Sequence, residues 1–147
     1  MTDYFKYYAQ TYRVEDAPDG GQRGYLLNTR TGEFEENNAI IPEVMFARAG
    51  DISYIGEAEF IDRTEVERQR YFDGDGPIFA LYQTIEGLYD QAESEGRPIT
   101  PQELALVKAL RRRTFAMWDE DFARRDAGEP MQNEYQKRQF GAEASSE

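Results

Sequence analysis

Strand-type and helix-type patterns occupy different halves of this sequence, and that separation constrains the fold more than any other feature. Aromatic and β-branched residues, which favour strands, crowd the first third of the chain. Apolar residues at helical spacing, with helix start signals, follow residue 76. Strands followed by helices are typical of the α+β class. We therefore expect an N-terminal antiparallel β-sheet of three to four strands, packed by two long C-terminal helices.

Turn signals divide the N-terminal half into three predicted strands. The first covers Tyr4–Val14 and ends at a cluster of Asp, Pro and Gly at residues 16–21. The second covers Tyr25–Thr29. Gly32 then predicts a tight hairpin, because it suits the left-handed position of a type I turn with a bulge. A third strand follows at Glu33–Glu36, which completes a meander.

The middle of the chain has a weaker pattern. Pro42 favours a short helix over Pro42–Ala49. Apolar and polar side chains alternate over Ile52–Phe60, which predicts a strand. Residues 62–72 are mostly charged, and both helix and strand remain open there. Asp62 or Thr64 is a candidate cap for a short helix in this stretch.

Two long helices have clearer signals. Pro77 opens the first, whose apolar residues fall within a narrow arc and which ends at Gly96. Thr100 and Glu103 match a capping box, in which each residue's side chain bonds the other's backbone N–H. The second helix therefore starts after Thr100, and it is predicted to run to about Asp126.

The length of 147 residues suits one domain. A chain of this size buries about 68–70% of its unfolded surface and needs no disulfide or metal to hold a core. In residues 129–147, Met131, Tyr135 and Phe140 are candidates for one docking helix, but Gly141–Glu147 is small and polar. We expect a single α+β domain over residues 1–128, followed by a weakly structured C-terminal tail.

The sequence contains neither cysteine nor histidine. It therefore lacks a thiolate nucleophile, Cys-based zinc or iron–sulfur sites, a His-based triad and imidazole metal ligands. Carboxylates, Lys, Tyr, Ser and Thr remain for chemistry. The composition favours a non-catalytic protein but leaves an enzyme open. We expect no cofactor.

Acidic side chains outnumber basic ones by 29 to 17, which gives a net charge of −12 and a pI of about 4.5. This charge repels phosphate backbones and anionic lipids, so we expect neither nucleic-acid nor membrane binding. It favours a basic protein partner. Because no stretch approaches the ~20 apolar residues of a membrane span and no secretory signal is visible, we expect a cytoplasmic protein.

Two carboxylate motifs are candidate sites. Asp73 and Asp75, in Asp-Gly-Asp-Gly, depart from the EF-hand pattern, but such a pair is still a candidate site for a divalent cation. Alternatively, the glycines only turn the chain and Asp75 or Gly76 caps the next helix. Glu57 and Glu59 would share one face of the predicted strand, about 7 Å apart, as a pair of acids. Ordinary ion pairs with nearby arginines explain them equally well.

The third candidate site lies on the second predicted helix, in its part over residues 104–122. Arg111 and Asp121 fall within its wide apolar arc, close to Phe115 and Trp118. Charges among aromatic residues favour an interface, so we hypothesise that these four residues bind a partner. Core packing, with the charged ends reaching solvent, is the alternative.

The same helix also offers a surface for self-association. Leu106, Leu110 and Met117 form an apolar strip on it, which could pair across a two-fold axis to make a homodimer.

Two functional classes follow from these observations. The first is a small non-catalytic protein-binding module, such as an adaptor, an inhibitor, an immunity-type protein or a chaperone-like protein. The second is a small enzyme or ligand-binding domain that uses carboxylates, with or without a divalent cation. The small size, the acidity and the missing nucleophiles favour the first class.

Overall fold

The computed structural model describes residues 1–46 and 50–139, and it has the expected α+β class. Its internal contacts divide the chain into two compact units, Met1–Arg68 (unit 1) and Gln69–Glu147 (unit 2). The expected single domain over residues 1–128 stays a prediction, because the compactness of a unit does not establish that it folds alone.

Unit 1 contains a five-stranded antiparallel sheet, so the expected N-terminal sheet is confirmed with more strands than predicted. The order across the sheet is β4-β3-β2-β1-β5. The strands are β1 (Thr2–Tyr7), β2 (Gln10–Asp16), β3 (Gln22–Leu27), β4 (Phe34–Glu36) and β5 (Ile52–Ile55).

The predicted first strand, Tyr4–Val14, is in fact a hairpin. Tyr7 pairs with Gln10, so the loop between β1 and β2 has two residues, Tyr8 and Ala9. No Gly, Asn or Pro marks this turn, which is why the pattern suggested one continuous strand. The predicted turn at Gly32 is confirmed, with φ of 80° and a 2.7 Å hydrogen bond from its N–H to the Asn28 carbonyl.

Two helices accompany the sheet, α1 (Ile41–Phe46) and α2 (Glu57–Tyr71). The predicted helix Pro42–Ala49 is confirmed as far as Phe46, and residues 47–49 lie outside the described residues. The strand predicted over Ile52–Phe60 is wrong beyond Ile55, because α2 begins at Glu57. Phe60 and Thr64 are one helical turn apart and both are buried, a spacing that fits a helix as well as a strand's alternation.

The sheet of unit 1 lies between its two helices. Phe5, Tyr12 and Ile52 form one buried cluster with Val44 of α1. On the other face, the rings of Tyr4 and Phe60 of α2 lie 4.7 Å apart, between centroids. The α2 helix is thus fixed on its sheet side.

Unit 2 contains a two-stranded antiparallel sheet and two long helices. Its elements are β6 (Phe72–Asp75), α3 (Pro77–Ser94), α4 (Pro101–Asp126) and β7 (Glu134–Lys137). Both predicted helices are confirmed, as is the capping box of Thr100 and Glu103. None of the helices in the described residues is long and apolar enough to cross a membrane.

The prediction of a weakly structured tail is wrong over Glu134–Lys137. This segment forms β7 and pairs with β6, and the ring of Tyr135 lies 4.9 Å from that of Trp118. A nonlocal partner, rather than local propensity, therefore orders the segment. Residues 140–147 of the predicted tail lie outside the described residues.

Candidate functional site

Trp118, predicted to bind a partner, lies at the centre of unit 2. Its side chain has no exposed surface, and its indole N–H donates a 2.8 Å hydrogen bond to the Tyr82 hydroxyl. Aromatic rings surround it, from Phe72, Phe79, Phe122 and Tyr135. Phe115 and Arg111 are half-buried on the same helix. Trp118 thus packs the core of unit 2, and partner binding through this group of residues stays a prediction.

Asp121 is also buried, with 2% of its surface exposed. Its carboxylate accepts hydrogen bonds from the Gln132 N–H (2.8 Å), the Asn133 N–H (3.0 Å) and the Asn133 side-chain amide (2.8 Å). The amide oxygen of Asn133 in turn accepts from the Ile78 N–H at 2.9 Å. Asp121 therefore holds the segment before β7 against α4, and Asn133 links that segment to the start of α3.

The apolar strip proposed for a homodimer is not continuous at the surface. Leu106 is 45% exposed, Leu110 is half-buried, and Met117 belongs to the core cluster of unit 2. A homodimer through this strip stays a prediction.

Asp73 and Asp75 are both exposed on β6. Asp73 lies 3.9 Å from the Arg138 guanidinium and also accepts a hydrogen bond from the Gly74 N–H. Within the described ranges, no group of three or more carboxylates could hold a metal ion. Gly76 occupies the cap position of α3, and Asn133 supplies the acceptor that a capping side chain would otherwise provide. A cation site at Asp73 and Asp75 stays a prediction.

The prediction that Glu57 and Glu59 share one face of a strand is wrong, because both residues belong to a helix. Both lie in the first turn of α2, where residues two apart point to opposite sides of the helix. Glu57 accepts a 3.1 Å hydrogen bond from the Tyr4 hydroxyl, and Glu59 forms a 2.7 Å ion pair with Arg63. The two carboxylates therefore lie on different sides of α2 and have different partners.

A cleft of about 370 Å³ lies in unit 1, between the β1–β2 turn and one side of α2. The helix contributes residues at positions 59, 62, 63, 66 and 67, a spacing that places them on one face. Charged or aromatic side chains at its wall are Lys6, Tyr8, Glu59, Asp62, Arg63 and Glu67. The charged run that the sequence presented as an ordinary solvated face thus lines a concave surface.

Tyr8 holds an unusual backbone conformation at this cleft. Its φ is +56°, and among the described residues it is the one non-glycine residue with positive φ. Glycine normally occupies such a turn position, and a bulky residue there carries roughly 1–3 kcal/mol of strain. A 2.9 Å hydrogen bond from its N–H to the Asp51 carbonyl fixes the turn. Its ring, T-shaped against Tyr7, is left 45% exposed.

The charges of the cleft are unequal. Its wall carries three carboxylates and two cations. The Arg63 guanidinium is paired with Glu59 at 2.7 Å, and the Lys6 ammonium donates to the Asp51 carbonyl at 3.4 Å. Unit 1 as a whole has fourteen acidic and seven basic side chains, a net charge of −7. The cleft therefore sits in a negative field, and both of its cations already contact acceptors.

Tyr4, Tyr7 and Tyr12 of unit 1 are poorly suited to acid–base chemistry. Burial raises the pKa of Tyr12 to about 12, and it also raises the pKa of Tyr7 and Tyr4. A general base works best with a pKa near the working pH, so these shifts go in the wrong direction. The buried hydroxyls instead make structural bonds, such as that of Tyr12 to the Asn37 carbonyl at 2.6 Å.

Sequence reasoning missed this cleft because it missed the turn. With Tyr4–Val14 taken as one strand, Tyr8 is only one more strand tyrosine. The spacing of Glu59, Asp62, Arg63, Val66 and Glu67, at i, i+3, i+4, i+7 and i+8, is the signal that predicts a common helix face.

Comparison with known proteins gave no match among family models, curated proteins or solved structures.

Proposed function

We propose that this protein is a small non-catalytic binding module that holds a cationic segment of a partner protein. The observation that carries the proposal is the cleft of unit 1, where carboxylates outnumber cations beside an exposed tyrosine ring. The net charge of −7 on the unit supports the same partner class, since it speeds the approach of basic partners and slows acidic ones.

The chemistry of the cleft fits a guanidinium or an ammonium group. Asp62 and Glu67 lie five residues apart on α2, about 140° around the helix, so their carboxylates border the cleft from two directions. The ring of Tyr8 is available for a cation–π contact, worth about 0.5–1 kcal/mol at an exposed site. Each contact is weak at a surface, so the expected affinity for one segment is micromolar or weaker.

A catalytic role has less support. The chain has no cysteine or histidine, and the buried tyrosines have raised pKa values. The one carboxylate pair that suggested acid–base chemistry, Glu57 and Glu59, is divided between two sides of α2. No observation on the described residues favours the cation-dependent alternative over binding.

Two labelled octapeptides of opposite charge test this function. One alternates arginine with threonine and the other alternates glutamate with threonine, and binding is followed by fluorescence anisotropy at low salt. We expect the basic peptide alone to bind, with an affinity that falls as salt screens the charges. Equal binding of both peptides, or binding of neither, contradicts the proposal.

A matched pair of variants separates the cleft from the general field. Asp62→Asn with Glu67→Gln removes two negative charges from the cleft wall, and Asp90→Asn with Glu93→Gln removes two from the exposed surface of α3. The first pair should weaken binding about tenfold, or about 1.4 kcal/mol, and the second less than about twofold. Equal losses would mean that net charge, not the cleft, attracts the peptide.

A further inference from the structure

β5 is one edge of the sheet in unit 1, and on the evidence of the described residues it is hydrogen-bonded to β1 alone. The 2.9 Å bond from the Tyr8 N–H to the Asp51 carbonyl extends this ladder by one pair. Antiparallel pairs alternate between hydrogen-bonded and non-bonded ones. Tyr8 and Asp51 are a bonded pair, so Ser53 and Ile55 also direct their backbone groups at β1. Ile52 and Tyr54 direct theirs away from the sheet.

The two edges of the sheet differ in how they resist further pairing. β4 has three residues, of which Glu35 and Glu36 are exposed and charged. β5 reads Ile-Ser-Tyr-Ile and carries no charge and no proline. Charged side chains and proline are the usual protection of an exposed edge, because an open row of N–H and C=O groups invites another strand. β5 lacks both.

Side chains around β5 fit a basic strand better than a second copy of this chain. The Tyr54 side chain is 59% exposed, and its hydroxyl donates to the Asp3 carboxylate at 2.9 Å. Asp51 precedes β5 and Glu57 follows it closely. Two copies paired here would bring these carboxylates together, each copy with a net charge of −12. Like charges facing each other across a strand pair destabilise it, and a basic strand has the opposite effect.

We propose that the β5 edge binds an extended segment of a basic partner protein, which adds to the sheet as a sixth strand. In this kind of strand addition, main-chain hydrogen bonds to Ile52 and Tyr54 supply the affinity, and side chains along the edge supply the selectivity. The basic charge of the partner rests on the proposed function, whereas the strand geometry rests on the register of β5.

Amide hydrogen exchange measured by NMR tests the geometry, with the arginine–threonine octapeptide as the probe. Without peptide, the Ser53 and Ile55 amides should exchange slowly and those of Ile52 and Tyr54 quickly. With saturating peptide, exchange at Ile52 and Tyr54 should slow by about tenfold or more, with little change at Ser53. Unchanged exchange at Ile52 and Tyr54 overturns the proposal.

A pair of variants at Tyr54 gives a second readout. Tyr54→Ala removes the ring and keeps the outward N–H, whereas Tyr54→Pro removes both. Proline is tolerated at an edge position whose N–H faces away from the ladder, so the sheet should survive. We expect Tyr54→Pro to bind the peptide about tenfold more weakly than Tyr54→Ala. Equal affinities overturn the proposal, and if the proline variant fails to fold, the exchange data on the natural chain decide.

The outcomes separate this edge from the cleft. Peptide binding that is weakened by the cleft variants, with no new protection at Ile52 and Tyr54, refutes the edge and keeps the proposed function. Protection at these amides with binding unaffected by the cleft variants keeps the edge and refutes the cleft. Protection that appears without peptide as the protein concentration rises identifies a second copy as the occupant and overturns the proposal.

Discussion

Replacing Asn133 with alanine should strongly destabilise unit 2, because one side chain joins three of its segments. The amide oxygen accepts from the Ile78 N–H at 2.9 Å, and the amide nitrogen donates to Asp121 at 2.8 Å. Ile78 lies in the first turn of α3, where backbone N–H groups have no partner within the helix. Gly76, at the cap position, has no side chain to supply one.

The magnitude follows from what alanine leaves behind. Asn133 is 4% exposed and Ile78 is fully buried, so the Ile78 N–H loses its acceptor with little access to water. A buried unsatisfied donor costs about 1–3 kcal/mol. Asp121 also loses one of its three donors, worth about 1 kcal/mol once some relaxation is allowed. We expect a total loss of about 2–4 kcal/mol in the free energy of unfolding.

Urea unfolding followed by tryptophan fluorescence measures this loss, because Trp118 is the sole tryptophan and lies in the core of unit 2. For a small protein the midpoint should fall by about 1–2 M urea. Gln136→Ala is the matched control, since it removes an amide from an exposed position on β7. A change below about 0.5 kcal/mol for Asn133→Ala, or an equal change in the control, would refute the assigned role of Asn133.

Three further predictions concern single side chains. Glu103 should stabilise the protein above about pH 4.5 and lose that effect as pH falls towards 2, because hydrogen bonds from Arg97 and from the Thr100 N–H lower its pKa to about 2. Melting temperatures of Glu103→Gln and the natural chain should therefore converge over that range. Tyr8→Gly should change the free energy of unfolding by less than about 1 kcal/mol in chemical unfolding, because the relief of backbone strain offsets the lost ring contact and the added flexibility of glycine. Peptide binding by the same variant should weaken. Arg68→Met should destabilise by about 3–5 kcal/mol, because it leaves Glu65 without its 2.9 Å ion-pair partner in a fully buried site, and Glu65→Leu in the same chain should restore much of that loss.

Local chemistry made the long helices predictable. The Thr100 and Glu103 capping box, and Pro77 at the first helical position, are signals that act within four residues, and both helices begin where these signals place them. The α+β class follows from the same local information. The bounds of α4 differ little from those predicted.

Nonlocal contacts account for what the sequence did not reveal. Tyr8 occupies a turn position that normally selects glycine, and the Asp51 carbonyl that helps to hold it there lies 43 residues away. Glu134–Lys137 is ordered by pairing with β6 and by contact with the Trp118 ring, and the sequence of the segment itself predicts neither contact. The sequence places Asp121 as a charge on an apolar arc, but its donors come from a segment whose own residues predict weak structure.

The candidate site was predictable only in part. The charged run from Glu59 to Glu67 was visible, yet the same composition suits a solvated helix face. The proposed binding role depends on the β1–β2 turn, which lines the cleft together with this face. The sequence also marks Trp118 and Phe115, as aromatic residues on a wide apolar arc, but Trp118 belongs to the core of unit 2.

The central claim is that the cleft of unit 1 holds a cationic segment, and a peptide titration followed by amide NMR shifts tests it most directly. The arginine–threonine octapeptide should shift the amides of Lys6–Thr11 and Glu59–Glu67 first and most strongly, and Asp62→Asn with Glu67→Gln should reduce those shifts at equal peptide concentration. Shifts centred on unit 2, or no saturable shifts at all, would contradict the claim.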